Sequence, residues 1–160
     1  MSNTRCQLPR PEWARMLSAL PSRDIRQFAE RFESACAIED LSLPQSGLAL
    51  LKLRDTVLDE TFYLGEIPLS RAHVAVRSAD GRVAEGGGQI MDDRSSMAHD
   101  IAILDAVLSG KLPGWENVEA LLLRGAAVRR EEAMERKRLL DTTRVDFSLL
   151  GKVEEEEEND

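Results

Sequence analysis

The sequence predicts an α+β domain: N-terminal helices, a small antiparallel sheet of about four strands, then C-terminal helices. Three observations carry this. Ile25, Phe28, Ala29, Phe32, Ala35 and Cys36 recur at the period of an amphipathic helix. Residues 69–77 alternate instead, with Leu69, Ala72, Val74 and Val76 interleaved with Ser70, Arg71, His73 and Arg77 and one slip, as in a half-buried strand. Residues 95–108 are apolar on nearly every side, which suits a helix buried on more than one face.

Taken in chain order, Pro11 opens a short helix to Leu20, with Trp13, Met16, Leu17 and Leu20 at helical spacing, and Pro21 ends it. Ser22 is placed to cap the next helix, to about Cys36, whose solvated face carries Arg23, Arg26, Glu30, Arg31 and Glu33. A loop with Pro44 and Gly47 is expected next. Leu48–Leu53 then reads as a strand, Thr56–Glu60 as a loop and Phe62–Leu64 as a short strand. Leu64-Gly65-Glu66-Ile67-Pro68 is a turn signal. Ser70–Arg77 is a strand joined through Ser78-Ala79-Asp80-Gly81 to another beginning at Arg82, because Asp-Gly favours a tight hairpin.

Gly86-Gly87-Gly88 reads as a bulge or a flexible strand end. A phosphate cradle needs glycines leading into a helix N-terminus, but Gln89 to Ser95 intervene and no Gly-Lys-Ser/Thr follows. Asp92 and Asp93 are read as capping groups before a helix from Ser95 to Leu108, which Gly110 and Pro113-Gly114 terminate. Asp105 interrupts the apolar surface of that helix, so its carboxylate must be paired or lie at an edge. Glu116–Leu140 forms the last helical region, with a break expected near Gly125. Thr142–Leu150 is a short extended segment presenting Val145, Phe147, Leu149 and Leu150 among Arg144 and Asp146.

Composition narrows the function classes. The chain has 160 residues, 42% hydrophobic and 31% charged, as in one soluble domain. No apolar run approaches bilayer length and no apolar leader is visible, so a cytoplasmic protein is expected. The net charge is −8, but Glu154, Glu155, Glu156, Glu157, Glu158 and Asp160 supply most of it and read as a disordered acidic tail over residues 151–160. The globular part, residues 1–150, is therefore close to neutral, which argues against tight nucleic-acid binding. Cys6 and Cys36 have no metal-ligand spacing. His73 and His99 are the only histidines, and neither falls in a hydrolase or zinc-protease motif. Either would act as acid or base only in a site completed by another chain. This is the profile of a binding or scaffold subunit. A stand-alone enzyme for a nucleotide or phosphate ester, using His73 or Asp105 and the triple glycine, is the competing reading.

Several segments together resemble the PhnG family, the G subunit of the bacterial phosphonate carbon–phosphorus lyase system. Trp13-Ala-Arg-Met-Leu-Ser-Ala-Leu resembles its first helix, and Pro44-Gln-Ser-Gly47-Leu its Pro-Glu-Thr-Gly-Leu stretch. Phe62-Tyr-Leu-Gly65-Glu66 with Ser70-Arg71 resembles its Phe-Asn-Leu-Gly-Glu and Thr-Arg pattern, and Asp80-Gly81 falls at its hairpin. Ala98, Ala102, Leu104, Asp105 and Ala106 match its alanine-rich helix, and Thr143-Arg144-Val145-Asp146-Phe147 its terminal signature. The likeness spans residues 11–150. The family's glycine-rich Arg-Gly-Arg-Gly-Gly stretch is here Lys52–Asp59, without glycine.

The resemblance implies an accessory subunit of a core complex with H, I and J subunits. With the L subunit, that system displaces adenine from MgATP by a phosphonate, giving a ribose 1-phosphonate 5-triphosphate. The chain would then be a non-catalytic part of a transferase, ribose 1-methylphosphonate 5-triphosphate synthase. It would have no catalytic residue, metal or cofactor of its own, and MgATP would be a substrate of the complex. It would form a hetero-oligomer with no nucleic-acid or membrane partner. Arg144, Asp146, Phe147 and Leu149, with Glu66 and Arg71, are the candidate partner-binding residues. A structural protein outside phosphonate metabolism is the remaining alternative.

Overall fold

The computed structural model describes residues 8–143. A 3-10 turn at Arg10–Glu12 leads into α1 (Trp13–Leu17), followed by α2 (Ser22–Ala35). Three strands come next: β1 (Ala37–Arg54), β2 (Thr61–Arg77) and β3 (Val83–Ile90). Helices α3 (Ser95–Ser109) and α4 (Trp115–Thr142) complete the described chain. The architecture is α+β, as expected. The chain divides into two units, residues up to Val128 and residues from Arg129. The described part of the second is polar helix, with an Arg129–Glu132 ion pair at 3.0 Å and exposed Leu139 and Leu140.

The sheet is an antiparallel meander in the order β1-β2-β3. Phe62–Leu64 and Ser70–Arg77 belong to one continuous strand. The Gly65–Pro68 turn signal is instead an irregularity, where the register slips by one residue between the Leu51–Gly65 and Lys52–Tyr63 pairs. Pro68 is tolerated because β3 pairs only with Ser70–Arg77, leaving β2 with one neighbour at that point. The expected loop around Pro44 and Gly47 is also strand, bent by two further register shifts between Asp40 and Gln45. Strand pairing thus overrides local turn chemistry once a long partner strand is present. The Ser78–Gly81 hairpin forms as read: the Ser78 amide donates to the Arg82 carbonyl at 2.9 Å and Gly81 takes a φ of 86°. Ser78 first, and then Arg82, hold the Asp80 carboxyl down to about 2 by hydrogen bonding.

One sheet face is covered and the other is open. Ala72, Val74 and Val76 are buried toward α3, whereas Arg71, His73 and Arg77 lie on the opposite, exposed face. α3 is buried on nearly every side, between the sheet and α1 and α2. Leu17, Ile25, Val118, Leu121 and Leu122 join the same core. Ser22 begins α2 but makes no capping hydrogen bond; Pro21 occupies the cap position. α4 is unbroken at Gly125, because that glycine is buried where α4 meets α1: a Cβ there would overlap the Met16 carbonyl.

The glycine run is regular strand, not a bulge: Val74 pairs Gly86, His73 pairs Gly87 and Ala72 pairs Gly88 without a slip. Gly86 and Gly88 are required by close approach. A Cβ on Gly86 would overlap the Ala102 carbonyl and the Ala106 amide, and one on Gly88 the Ala98 carbonyl. Ala98, Ala102 and Ala106 recur at intervals of four and therefore share one helix face. Gly86→Val and Gly88→Val are expected to cost about 2 kcal/mol or more, because overpacking here meets backbone that cannot rotate away. Urea unfolding followed by circular dichroism measures this; midpoints equal to that of the parent would refute the packing account.

Candidate functional site

A chemically mixed cleft of about 750 Å³ is lined by residues of all three strands together with the N-terminal turn, α1 and α3. Arg71 and His73 project from β2, on the exposed side of the alternation. Ser42 on β1 stands opposite His73, and Gly87 on β3 stands on its other side. Gln89 is opposite Arg71 in the same way. Arg10, Pro11 and Ala14 from the N-terminal turn and α1 form the rim, with Asp105 from α3.

Asp105 is the structural hinge of this wall. It is only 6% exposed and is saturated by charge-assisted contacts. Arg10 donates through Nε at 3.1 Å and through Nη2 at 2.6 Å, and the Gly87 amide donates at 3.0 Å. Arg10 Nη2 also reaches the Glu85 carbonyl at 2.9 Å. The helix carboxylate thereby binds the edge strand and the N-terminal turn together, as its position in an apolar helix demanded. Arg10 was invisible to local sequence reading, because its partner lies 95 positions away. The one available signal was the need of Asp105 for a cation.

His73 Nε2 lies 3.3 Å from Glu85 Oε2, with both side chains largely in solvent. No hydrogen bond joins His73 to Ser42, so the cleft holds no assembled nucleophile and base among the described residues. Arg71 donates to Gln45 Oε1 at 3.2 Å. Ser70 is structural: fully buried, it donates to the Asp92 carbonyl at 2.7 Å. Asp92 and Asp93 do not cap α3, whose N-cap residue is Arg94 with no side-chain capping bond; Asp92 instead closes a local turn by accepting the Arg94 amide at 2.9 Å, and Arg94 holds its carboxyl down to about 2.

A second polar cluster lies on the helical side. Glu33, His99 and Asp100 bring three donor atoms within 4.8 Å of one another. That arrangement already holds a cation: Arg26 contacts Asp100 at 2.8 Å and Glu33 at 2.9 Å, while His99 Nε2 meets Asp40 of β1 at 2.9 Å. The cluster joins α2, α3 and β1, and a metal ion would have to displace the guanidinium. Burial pushes the Asp100 carboxyl above its ordinary range, against the opposing pull of Arg26.

The structure brings Arg71, His73, Asp105, Gly87 and Gly88 to one cleft, although sequence reading treated them separately. It places Glu66 elsewhere, opposite Leu50 on the exposed part of the β1–β2 ribbon. Arg144, Asp146, Phe147 and Leu149 lie outside the described residues.

A scan against protein families matches residues 8–152 to the model described as phosphonate metabolism protein PhnG. The chain belongs to the PhnG family. Its role is accordingly in phosphonate metabolism, which removes the reading as a structural protein unconnected with that process. No curated protein matches the chain. Among the described residues of this PhnG-family chain, no helix is long and apolar enough to cross a membrane.

Two outcomes test the electrostatics. Arg10→Met should cost about 1–3 kcal/mol by leaving a buried carboxylate short of donors, and adding Asp105→Asn should recover part of that loss in a double-mutant cycle. A purely additive cycle would contradict the clamp. For Asp100, a raised folded-state value means that the native protein binds this proton more tightly than the unfolded chain. The stability contributed by this proton is fully present below the unfolded value and is lost as pH rises through the folded one, a loss that Arg26 offsets. Arg26→Met should destabilise at pH 7, with a deficit that shrinks as Asp100 protonates below the folded value; chemical denaturation across pH 3–7 measures it.

Proposed function

We propose that this chain is an accessory subunit of the carbon–phosphorus lyase core complex, supporting displacement of adenine from MgATP by a phosphonate to give a ribose 1-phosphonate 5-triphosphate. In this reading its partners are the H, I and J subunits, with the L subunit for activity, in a cytoplasmic hetero-oligomer. MgATP is a substrate of the assembly and not a cofactor of this chain. Family membership supports the process. The uncovered outer half of the β1–β2 ribbon supports the subunit role.

That half extends beyond the last β3 pairing at Ser70 and consists of two strands. An isolated two-stranded hairpin is marginal in water. This one also exposes Leu48, Leu50, Phe62, Tyr63 and Leu64, with Val57 and Leu58 at its tip, and Val57 is 88% exposed. A concentration of large apolar groups on an unsupported ribbon is the signature of a surface covered by a partner. Glu66, opposite Leu50 in the register, supplies a charge within it. The segment holding Arg144, Asp146, Phe147 and Leu149 is the second proposed contact, an aromatic anchor beside a pair of opposite charges.

Co-purification with the I-like subunit tests the assignment. Leu50→Asp with Tyr63→Asp should abolish capture, and Phe147→Ala with Arg144→Ala should weaken it, while isolated variants keep the parent's melting temperature. Undiminished capture by both double variants would sink the subunit-contact reading. Adenine release from MgATP and a phosphonate by the purified chain alone would establish a self-sufficient enzyme instead.

A further inference from the structure

The three consecutive glycines of β3 do not share one cause. Gly86 and Gly88 face α3 and leave no room for a Cβ, whereas a Cβ on Gly87 would meet nothing within 4 Å. Gly87 is also not among the residues with positive φ. Neither packing nor backbone conformation therefore calls for glycine there. Glycine inside a strand weakens it; with a bulge and tight packing both absent at Gly87, the remaining cause is close approach of a ligand or another backbone.

The surroundings of Gly87 indicate the ligand. Its cross-strand partner is His73, and two residues along the same face of β2 stands Arg71. Arg71 has no carboxylate partner among the described residues; a neutral amide, Gln45, holds its Nη2 and leaves Nε and Nη1 unused. Arg10 spends Nε and Nη2 on Asp105 and on the Glu85 carbonyl, leaving Nη1 unused among the described residues. Two carboxylates stand nearby: Asp105 is already matched by Arg10 and the Gly87 amide, and exposed Glu85, whose Oε2 lies 3.3 Å from His73 Nε2, has to turn into solvent for the imidazole to meet an anion. Guanidinium groups held by side-chain partners with donors to spare are pre-organised for an oxyanion. A phosphoryl or phosphonyl group offers three acceptor oxygens, one more than a carboxylate, and so has one for each of two guanidinium groups and an imidazole.

We propose that this cleft binds a tetrahedral phosphorus oxyanion, phosphate or phosphonate, held by Arg71, His73 and Arg10 over the bare backbone of Gly87. The volume of about 750 Å³ admits an organic substituent beyond the anionic group. The choice of phosphorus rests on the reading of the chain as a phosphonate-activating subunit. The anion cleft itself rests on geometry alone.

The test is calorimetric titration of the full chain with methylphosphonate, inorganic phosphate and, as a carboxylate probe, acetate. Both phosphorus anions should bind saturably, with acetate at least about tenfold weaker. Arg71→Gln should weaken binding by about tenfold or more, the scale of a lost charge-assisted contact. Gly87→Val is the sharper variant: with open space at the Cβ and a β-branched residue on a strand, its melting temperature should equal or exceed the parent's, yet binding should fall by a similar factor. Failure of both phosphorus anions to saturate, or unchanged affinity in Arg71→Gln, would overturn the proposal. Acetate binding as tight as methylphosphonate would overturn the choice of phosphorus. Adenine displacement by the assembled complex is the separate readout. If the reaction proceeds equally well without this chain while the cleft binds, the subunit reading alone fails. If the chain is needed but the cleft binds nothing, the cleft proposal alone fails.

Discussion

The near-contact of α3 with β3 is the constraint from which the remaining geometry follows. Backbone meets backbone where Ala98, Ala102 and Ala106 cross Gly86 and Gly88, so neither element can carry larger side chains at the crossing. Close approach gathers many weak dispersion contacts and excludes water from the full width of the helix. It also sets the reach of Asp105. Only because α3 lies this close to the edge strand can its carboxylate accept the Gly87 amide and still meet Arg10 on the far side. The edge of β3 is thereby closed by a side chain where another strand would otherwise pair.

Covering one face of the sheet with α3 leaves the other available. The inner half of the β1–β2 ribbon is stiffened by β3 and backed by α3. Polar side chains on its open face are held there against a rigid floor, which is the condition for a binding site with defined geometry. The outer half has neither support, and its apolar residues remain exposed. One hairpin thus presents two surfaces of different character: a charged cleft over the supported part and an apolar arm beyond it.

Glycine and charge carried different amounts of information. Asp105 in an apolar helix signalled either a partner or a place at an edge, because an unpaired buried carboxylate is too costly to keep. The identity of that partner was not readable, since Arg10 lies in a short N-terminal turn with no distinguishing pattern. Gly86-Gly87-Gly88 signalled an unusual strand, but a one-dimensional pattern cannot tell close packing from a bulge. The Leu64–Pro68 turn signal failed for a related reason: a register slip and an open edge accommodate glycine and proline without ending the strand.

By itself the sequence determined the helices, the Asp80–Gly81 hairpin and the α+β class, because periodicity and turn chemistry are local and act before any tertiary contact forms. Its ordered motifs also carried the resemblance to the PhnG family. Only the tertiary structure decided that β1 and β2 run unbroken past Pro44 and Pro68, that α4 continues through Gly125, and that Arg10, Arg71, His73, Gly87 and Asp105 line one cleft. These are matters of which surfaces meet, and that depends on how closely two backbones can approach. Here the answer is set by the missing side chains of Gly86, Gly88 and Gly125, whose spatial neighbours are distant in the chain.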